Sequence, residues 1–113
     1  MSATFITRYG DLLIDLIKYR VLLGHEPIVL TYREYALLVY LATRTGRIVS
    51  RRRLLEDSLG RYDFGGLRMI DEQIRHLKSK LERGDRVFIE SLDDGYRFVV
   101  PRQSTDGLAA GNV

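Results

Sequence analysis

The 113-residue chain contains no cysteine, no tryptophan and only two prolines. Without cysteine it has no disulfide framework, no thiolate nucleophile and no cysteine metal site. Its two histidines, His25 and His76, stand apart from other candidate ligands, which argues against metal binding. No apolar run approaches the roughly 20 residues that cross a bilayer, and the N-terminus lacks a signal-peptide pattern. We therefore expect a cytoplasmic protein that binds no membrane, metal or cofactor.

A catalytic arrangement is also missing from the sequence. Carboxylates are plentiful, but no pattern pairs them with a nucleophile, a base and a phosphate cradle. The glycines separate secondary-structure elements and form neither a G-x-G-x-x-G motif nor a P-loop. The expected protein is therefore not an enzyme.

The composition is that of one folded domain. Hydrophobic residues make up 45% of the chain and charged residues 29%, which are ordinary values for a globular protein. The net charge of +3 favours an anionic partner without identifying one. We expect residues 1–100 to form the domain, and residues 101–113, which are small and polar, to form a disordered tail.

The first half of the chain predicts a small sheet followed by two helices. Short aliphatic runs at 12–16, 19–23 and 28–30 indicate antiparallel strands. Thr31 and Glu34 match a capping box, so a first helix should begin there and run to about Arg44, before Gly46. Ser50 is the N-cap candidate of a second helix that ends near Leu59.

A third helix, over residues 68–83, follows a glycine-bearing loop. One apolar stripe is expected in the core and consists of Leu67, Ile70, Ile74, Leu77 and Leu81. The opposite, mostly basic edge consists of Arg68, Glu72, Arg75, His76, Ser79 and Arg83. Two further runs, 87–91 and 96–100, predict a hairpin. A surface helix of this kind before a hairpin suggests nucleic-acid recognition, although a charged helix face taken alone is more often simply solvated.

Five segments, in this order and spacing, resemble the OmpR/PhoB-type winged helix-turn-helix, the effector domain of many two-component response regulators. They are LTYREY (30–35), GRIVSR (46–51), RMID (68–71), IRHLK (74–78) and GYRF (95–98). The resemblance covers roughly residues 9–100. It implies an α+β fold with a small N-terminal antiparallel sheet, three helices and a C-terminal β-hairpin wing.

The same resemblance implies a sequence-specific DNA-binding transcriptional regulator. The third helix would enter the major groove of double-stranded DNA, and the wing would contact the neighbouring backbone or minor groove. Members of the family usually occupy tandem direct repeats as head-to-tail dimers. The loop between the second and third helices would contact RNA polymerase through Arg61, Tyr62, Asp63 and Phe64, although Tyr62 and Phe64 are more often part of a small core cluster.

The expected DNA contacts follow the third helix. Base or phosphate contacts are assigned to Arg68, Met69, Asp71, Glu72, Gln73, Arg75, His76, Lys78 and Ser79. The Arg75 guanidinium fork can pair with guanine or hold a phosphate. Asp71 and Glu72 either accept from cytosine or orient Arg68 or Arg75. Contacts to the DNA backbone are assigned to Arg51, Arg52, Lys80 and Tyr96.

The run Arg51-Arg52-Arg53 has two interpretations. Cations oppose the helix dipole in a first turn, a cost that a bound phosphate would relieve. Three converging arginines would then clamp one phosphate, whereas three diverging arginines would be ordinary solvent-exposed charge.

Three departures from the family pattern motivate a second hypothesis. Asp93 and Asp94 occupy the wing tip, where many relatives place an arginine, and Leu59 replaces a frequent tryptophan. No receiver domain precedes the chain, so we expect either an excised effector domain or a stand-alone regulator. The alternative function is a winged-helix adaptor that contacts RNA polymerase or another regulator without strong DNA binding of its own.

Overall fold

A computed structural model of the chain describes residues 5–60 and 66–101. The predicted tail beyond Pro101 and the predicted polymerase loop, Arg61 to Phe64, lie outside these residues. Within residues 5–60 and 66–101, no helix combines the length and the apolar character that a membrane span requires.

The chain begins with a four-stranded antiparallel sheet in the order β1-β2-β3-β4. Its strands are β1 (Ile6–Tyr9), β2 (Leu12–Asp15), β3 (Arg20–Leu23) and β4 (Glu26–Ile28). One face of the sheet enters the core through Leu12, Ile14, Val21, Leu23 and Ile28. The prediction missed β1, whose first three residues are exposed and show no alternation of burial. It also placed the last strand two residues too late.

Helix α1 (Tyr32–Ala42) confirms the predicted capping box. The Glu34 amide donates to the Thr31 hydroxyl at 3.2 Å, and the Thr31 amide donates to the Glu34 carboxylate at 2.9 Å. The box satisfies two backbone donors that the first turn of a helix otherwise leaves without partners.

Helix α2 (Arg51–Arg53) begins after the predicted N-cap, Ser50, whose hydroxyl accepts from the Arg53 amide at 3.1 Å. It continues into a wider, π-helical segment (Leu54–Leu59) that the sequence did not predict. Helix α3 (Gly66–Leu81) then runs for 16 residues.

The C-terminal hairpin belongs to a second sheet, in the order β5-β7-β6. Its strands are β5 (Ile48–Val49), β6 (Ile89–Leu92) and β7 (Gly95–Phe98), and the turn between β6 and β7 is Asp93-Asp94. The hairpin was predicted, whereas β5 was not, because two residues are too few to show a period. This hairpin is the wing.

One core joins both sheets with α1, α3 and the π-helical segment after α2. Its fully buried side chains include Leu12, Leu37, Leu54, Ile70, Ile74, Leu77, Phe88 and Phe98. Two predictions for α3 were wrong. Leu67, predicted to be core, is 39% exposed, and Met69, predicted to contact DNA, is 8% exposed and packed in the core. Because α3 packs against both α1 and α2, its buried face is wider than a single stripe.

Candidate nucleic-acid interface

The solvent-facing edge of α3 presents Arg68, Glu72, Arg75 and Ser79, spaced three or four residues apart along the helix. Arg75 is 68% exposed, and its Nη2 lies 4.0 Å from the Glu72 carboxylate. Arg68 is exposed and makes no hydrogen bond or ion pair within residues 5–60 and 66–101. Two guanidinium groups are therefore open to an external anion or base edge.

Neutral hydrogen-bonding groups lie beside these arginines. His76 and Ser79 are exposed, and Gln73 is half-buried at one flank of the helix. The Ser79 hydroxyl donates to the His76 carbonyl at 2.7 Å, so its oxygen remains available as an acceptor. The predicted edge thus exists as a surface from Arg68 to Ser79, whereas Arg83 lies beyond the end of the helix and pairs with Glu26 at 2.9 Å.

The flank of α3 that faces the wing contains a three-residue network, which we call the Asp71 network. Asp71 Oδ1 accepts from Arg51 Nε at 2.6 Å and from the Tyr96 hydroxyl at 2.6 Å. The Arg51 guanidinium also lies 5.0 Å from the centroid of the Tyr96 ring. All three residues were expected to contact DNA directly, whereas the structure engages them with one another. Asp71 orients Arg51, and not Arg68 or Arg75 as the sequence suggested.

Ionisation in the Asp71 network follows from these contacts. Burial alone would raise the pKa of Asp71, but the hydrogen bonds from Tyr96 and Arg51 outweigh it and the net pKa is lowered. Burial, together with the adjacent Asp71 carboxylate, raises the pKa of Tyr96 to about 12. At neutral pH the phenol is therefore a donor and Asp71 is a carboxylate.

Lys78 is engaged at the same flank, closer to the end of the helix. Its Nζ donates to the Ile89 carbonyl at 2.8 Å and lies 3.6 Å from Glu82. The Glu82 carboxylate accepts from the backbone amides of Phe88 and Ile89, both at 2.8 Å. Lys78 was predicted as a phosphate partner. Its ammonium group is instead hydrogen-bonded to the wing strand β6.

Lys80 occupies the opposite flank. Its Nζ donates to Glu34 at 2.6 Å and to the Val29 carbonyl at 3.1 Å. The ammonium group faces α1 and the end of β4, so the predicted contact with the DNA backbone would compete with Glu34. The sequence did not reveal these partners, because it shows only that the lysine lies near the edge of the helix.

The arginines at the start of α2 diverge. Arg51 reaches α3, whereas Arg52 lies 3.5 Å from Glu56 and Arg53 lies 3.5 Å from Asp57, each one turn along their own helix. The three-arginine clamp, one of the two interpretations of this run, is therefore not formed in the structure. Arg52 and Arg53 remain 68% and 65% exposed, so both are more accessible to a phosphate than Arg51, which is 30% exposed.

An open groove of about 200 Å³ separates α3 from the wing. It is lined by Asp71, Ile74, Arg75, Lys78, Ser91 and Tyr96. Across the wing, Arg97 Nη2 pairs with Glu90 at 2.6 Å. Asp93 and Asp94 are exposed at the tip, so the wing presents a negative end to any partner that approaches this face.

The sequence did not reveal the Asp71 network, because its members are 20 and 25 residues apart. Spacing along one helix identifies residues that share a face, but it cannot show which flank a neighbouring element covers. The available signal was that each residue fell in a different segment of the family resemblance.

Comparison with known proteins gives consistent matches. The family model described as "Transcriptional regulatory protein, C terminal" matches residues 25–98. The transcriptional regulatory protein SrrA of Staphylococcus aureus is 35% identical over 79 residues, which are 69% of this chain and 32% of that protein. The chain thus spans about a third of the length of the curated relatives it matches.

Solved structures show the same architecture. The response regulator DrrB of Thermotoga maritima, an OmpR/PhoB homolog, superposes with a TM-score of 0.76 at 28% identity, covering 84% of this chain and 44% of that one. The RstA DNA-binding domain of Klebsiella pneumoniae, solved in complex with the RstA box, superposes with a TM-score of 0.74 at 31% identity. That match covers 83% of this chain and 96% of the RstA domain.

Proposed function

Because this chain belongs to the family of C-terminal domains of transcriptional regulatory proteins and has the OmpR/PhoB-type winged helix-turn-helix fold, we propose that it is a sequence-specific DNA-binding domain that regulates transcription. Its ligand is double-stranded DNA, with α3 in the major groove. The observation that carries this proposal is the pair of exposed guanidinium groups, Arg68 and Arg75, on a helix anchored by its other faces.

Arg75 is the first candidate for direct base readout. It extends from the middle of the exposed edge, and a guanidinium fork matches the two acceptors of guanine in the major groove. Glu72, 4.0 Å away, restricts the orientation of that fork without neutralising it at hydrogen-bond distance. Arg68 and Arg52 supply phosphate contacts that position the protein.

The two-component context rests on the relatives, whereas the arrangement on DNA rests on the family resemblance of the sequence. DrrB is a response regulator, and the RstA domain was solved with its DNA box. By this likeness the chain acts as the effector domain of a response regulator, and by the family resemblance it occupies direct repeats as a head-to-tail pair. Selection of bound duplexes from a random pool tests the arrangement: two copies of one half-site in the same orientation support it, and an inverted pair contradicts it.

The proposal is tested by titrating the protein with a selected duplex and with a random duplex. Arg75→Ala should weaken binding to the selected site by about 1–3 kcal/mol and relax the preference at one base position. Arg20→Ala is the matched control, because it removes the same charge from an exposed position on β3, away from α3. Equal affinity of the parent for both duplexes, or no loss with Arg75→Ala, would rule out the proposed readout.

The exposed Asp93 and Asp94 favour a second candidate, an adaptor that binds RNA polymerase or another regulator. Two carboxylates at the wing tip repel phosphate, which weakens one of the usual DNA contacts. Retention of core polymerase from nuclease-treated extract, unchanged when Arg68 and Arg75 are both replaced by Ala, would support the adaptor. Loss of retention in that double variant would count against it.

A further inference from the structure

Three elements that build the DNA-facing surface meet at one carboxylate oxygen. Arg51 is the first residue of α2, Asp71 lies in the second turn of α3, and Tyr96 lies on β7 of the wing. Both donors approach Asp71 Oδ1 at 2.6 Å. The Asp71 network therefore fixes α3 relative to both the preceding helix and the wing.

The network also changes which cations are available to DNA. Arg51 has a side chain only 30% exposed, with its Nε in a charge-assisted hydrogen bond to Asp71. A phosphate that recruits Arg51 must compete with a carboxylate already in contact. Arg52, whose nearest carboxylate lies at 3.5 Å, meets much weaker competition.

On the wing side, the backbone at Gly95 fixes the residue that donates a hydrogen bond to the Asp71 carboxylate. A Cβ on Gly95 would lie 2.0 Å from the Val49 carbonyl oxygen, so β7 approaches β5 more closely than any other residue type permits. Tyr96 follows Gly95 directly, and its hydroxyl is thereby delivered to Asp71. Asp71 thus accepts from a donor whose place is set by the wing, and from Arg51 on the other side.

We propose that Asp71 is a specificity-determining positioning residue, which withholds Arg51 from the phosphates of arbitrary DNA while it fixes α3 against the wing. This inference rests on the proposed function. The affinity for random DNA is then lower than the number of surface arginines implies. Discrimination between selected and random DNA depends on the exposed edge of α3.

The test is Asp71→Asn, which keeps an acceptor for Tyr96 but removes the charge that holds Arg51. Arg51 then gains a phosphate, and the log–log slope of affinity against salt on a random duplex steepens by about 0.9. Between 50 and 200 mM salt, that slope corresponds to an additional loss of about 3.5-fold relative to the parent. On the selected duplex, the affinity gained from the Arg51–phosphate contact is offset because α3 is held less firmly against α2. The ratio of selected to random affinity therefore falls several-fold.

Two variants control for charge. Asp85→Asn makes the same change in net charge at an exposed position that forms no ion pair within the described ranges, and it should leave the slope unchanged. The double variant Asp71→Asn/Arg51→Gln removes both charges and should return the slope to that of the parent. Circular dichroism melting verifies that each variant is folded, and Asp71→Ser provides the same charge change if the Asn variant does not fold.

The outcomes separate the two proposals. A parent that binds selected and random duplexes equally would overturn the proposed function and leave no discrimination for Asp71 to set. A parent that discriminates, with an Asp71 variant whose slope is unchanged or whose binding to both duplexes is weaker, would overturn the role of Asp71 alone. A steeper slope that persists in the double variant would also contradict the role of Asp71, because Arg51 would then not be the source of the steeper slope.

Discussion

At the scale of single residues, Glu34 shows how this small domain accommodates a buried charge. Its side chain is 3% exposed, yet its Oε1 accepts from the Thr31 amide at 2.9 Å and from Lys80 Nζ at 2.6 Å. Burial alone would raise the pKa of Glu34, but the hydrogen bonds from Lys80 and Thr31 outweigh it and the pKa is lowered. Lys80 therefore contributes to the stability of α1.

Replacing Lys80 with Met should lower the free energy of unfolding by about 2–3 kcal/mol. Removing one partner of a fully buried pair costs about 3–5 kcal/mol, and the estimate is reduced here because the lysine is 35% exposed. Urea denaturation at neutral pH measures the change. Lys18→Met, at an exposed position between β2 and β3, is the control. Equal stabilities of the two variants would show that the pair contributes nothing.

The sequence predicted residue contacts well where they are local. The Thr31–Glu34 box and the Ser50 cap join residues three apart, so their geometry follows from the start of a helix. The Arg51–Asp71 and Lys80–Glu34 pairs span 20 and 46 residues and depend on how the helices pack. Sequence spacing identified the charges in these pairs but not their partners.

At the scale of elements, the wing depends on one glycine, Gly95, the first residue of β7 after the turn. Gly95 has φ of +150°, and an added Cβ would meet both the carbonyl oxygen and the carbonyl carbon of Val49, at 2.0 and 2.8 Å. The clash involves backbone on both sides, so no side-chain rearrangement relieves it. Pairing of β7 with β5 therefore requires glycine here.

Gly95→Ala should lower the free energy of unfolding by about 3 kcal/mol or more, because it combines backbone strain with overpacking. Gly84→Ala is the matched control: its φ of +67° is also strained, but nothing lies within 4 Å of the added Cβ. That variant should lose only about 1–2 kcal/mol, the cost of a left-handed backbone for an L-residue. Thermal melting of both variants against the parent gives the comparison, and similar losses would refute the close approach at Gly95.

Elements were predicted where the pattern was long enough to reveal a period. The three helices and the wing followed from caps, apolar spacing and a turn, and all are present. Strand β1 was missed because Ile6, Thr7 and Arg8 are all exposed, and β5 because it has two residues. These strands form by pairing with stronger neighbours, which no local pattern records.

At the scale of the whole molecule, carboxylates with lowered pKa join distant parts of the domain. Asp11 contacts Arg86 across 75 residues at 2.6 Å, and the hydrogen bond from Arg86 lowers the pKa of Asp11. Glu34 and Asp71 also have lowered pKa values. A group of this kind contributes stability above its unfolded-state pKa and loses it as pH falls through its folded-state pKa.

The free energy of unfolding should therefore be constant near neutral pH and decline as pH falls below the ordinary carboxyl values of 3.8 for aspartate and 4.5 for glutamate. Denaturant titrations over this range measure the decline. Glu34→Gln should make it shallower, whereas Glu56→Gln, on the exposed side of the segment after α2, should leave it as in the parent. If the free energy of unfolding declined identically in all three proteins, Glu34 would not contribute to the loss of stability at low pH.

Helix α3 also ties the two sheets together along its flanks. Lys80 bonds the backbone just beyond β4, and Lys78 and Glu82 bond the backbone at the start of β6. Arg68 and Arg75, on the remaining edge, carry none of this attachment. Under the proposed function, substitutions there should leave the architecture intact and change the target sequence, which makes a library randomised at those positions a practical route to redesigned regulators.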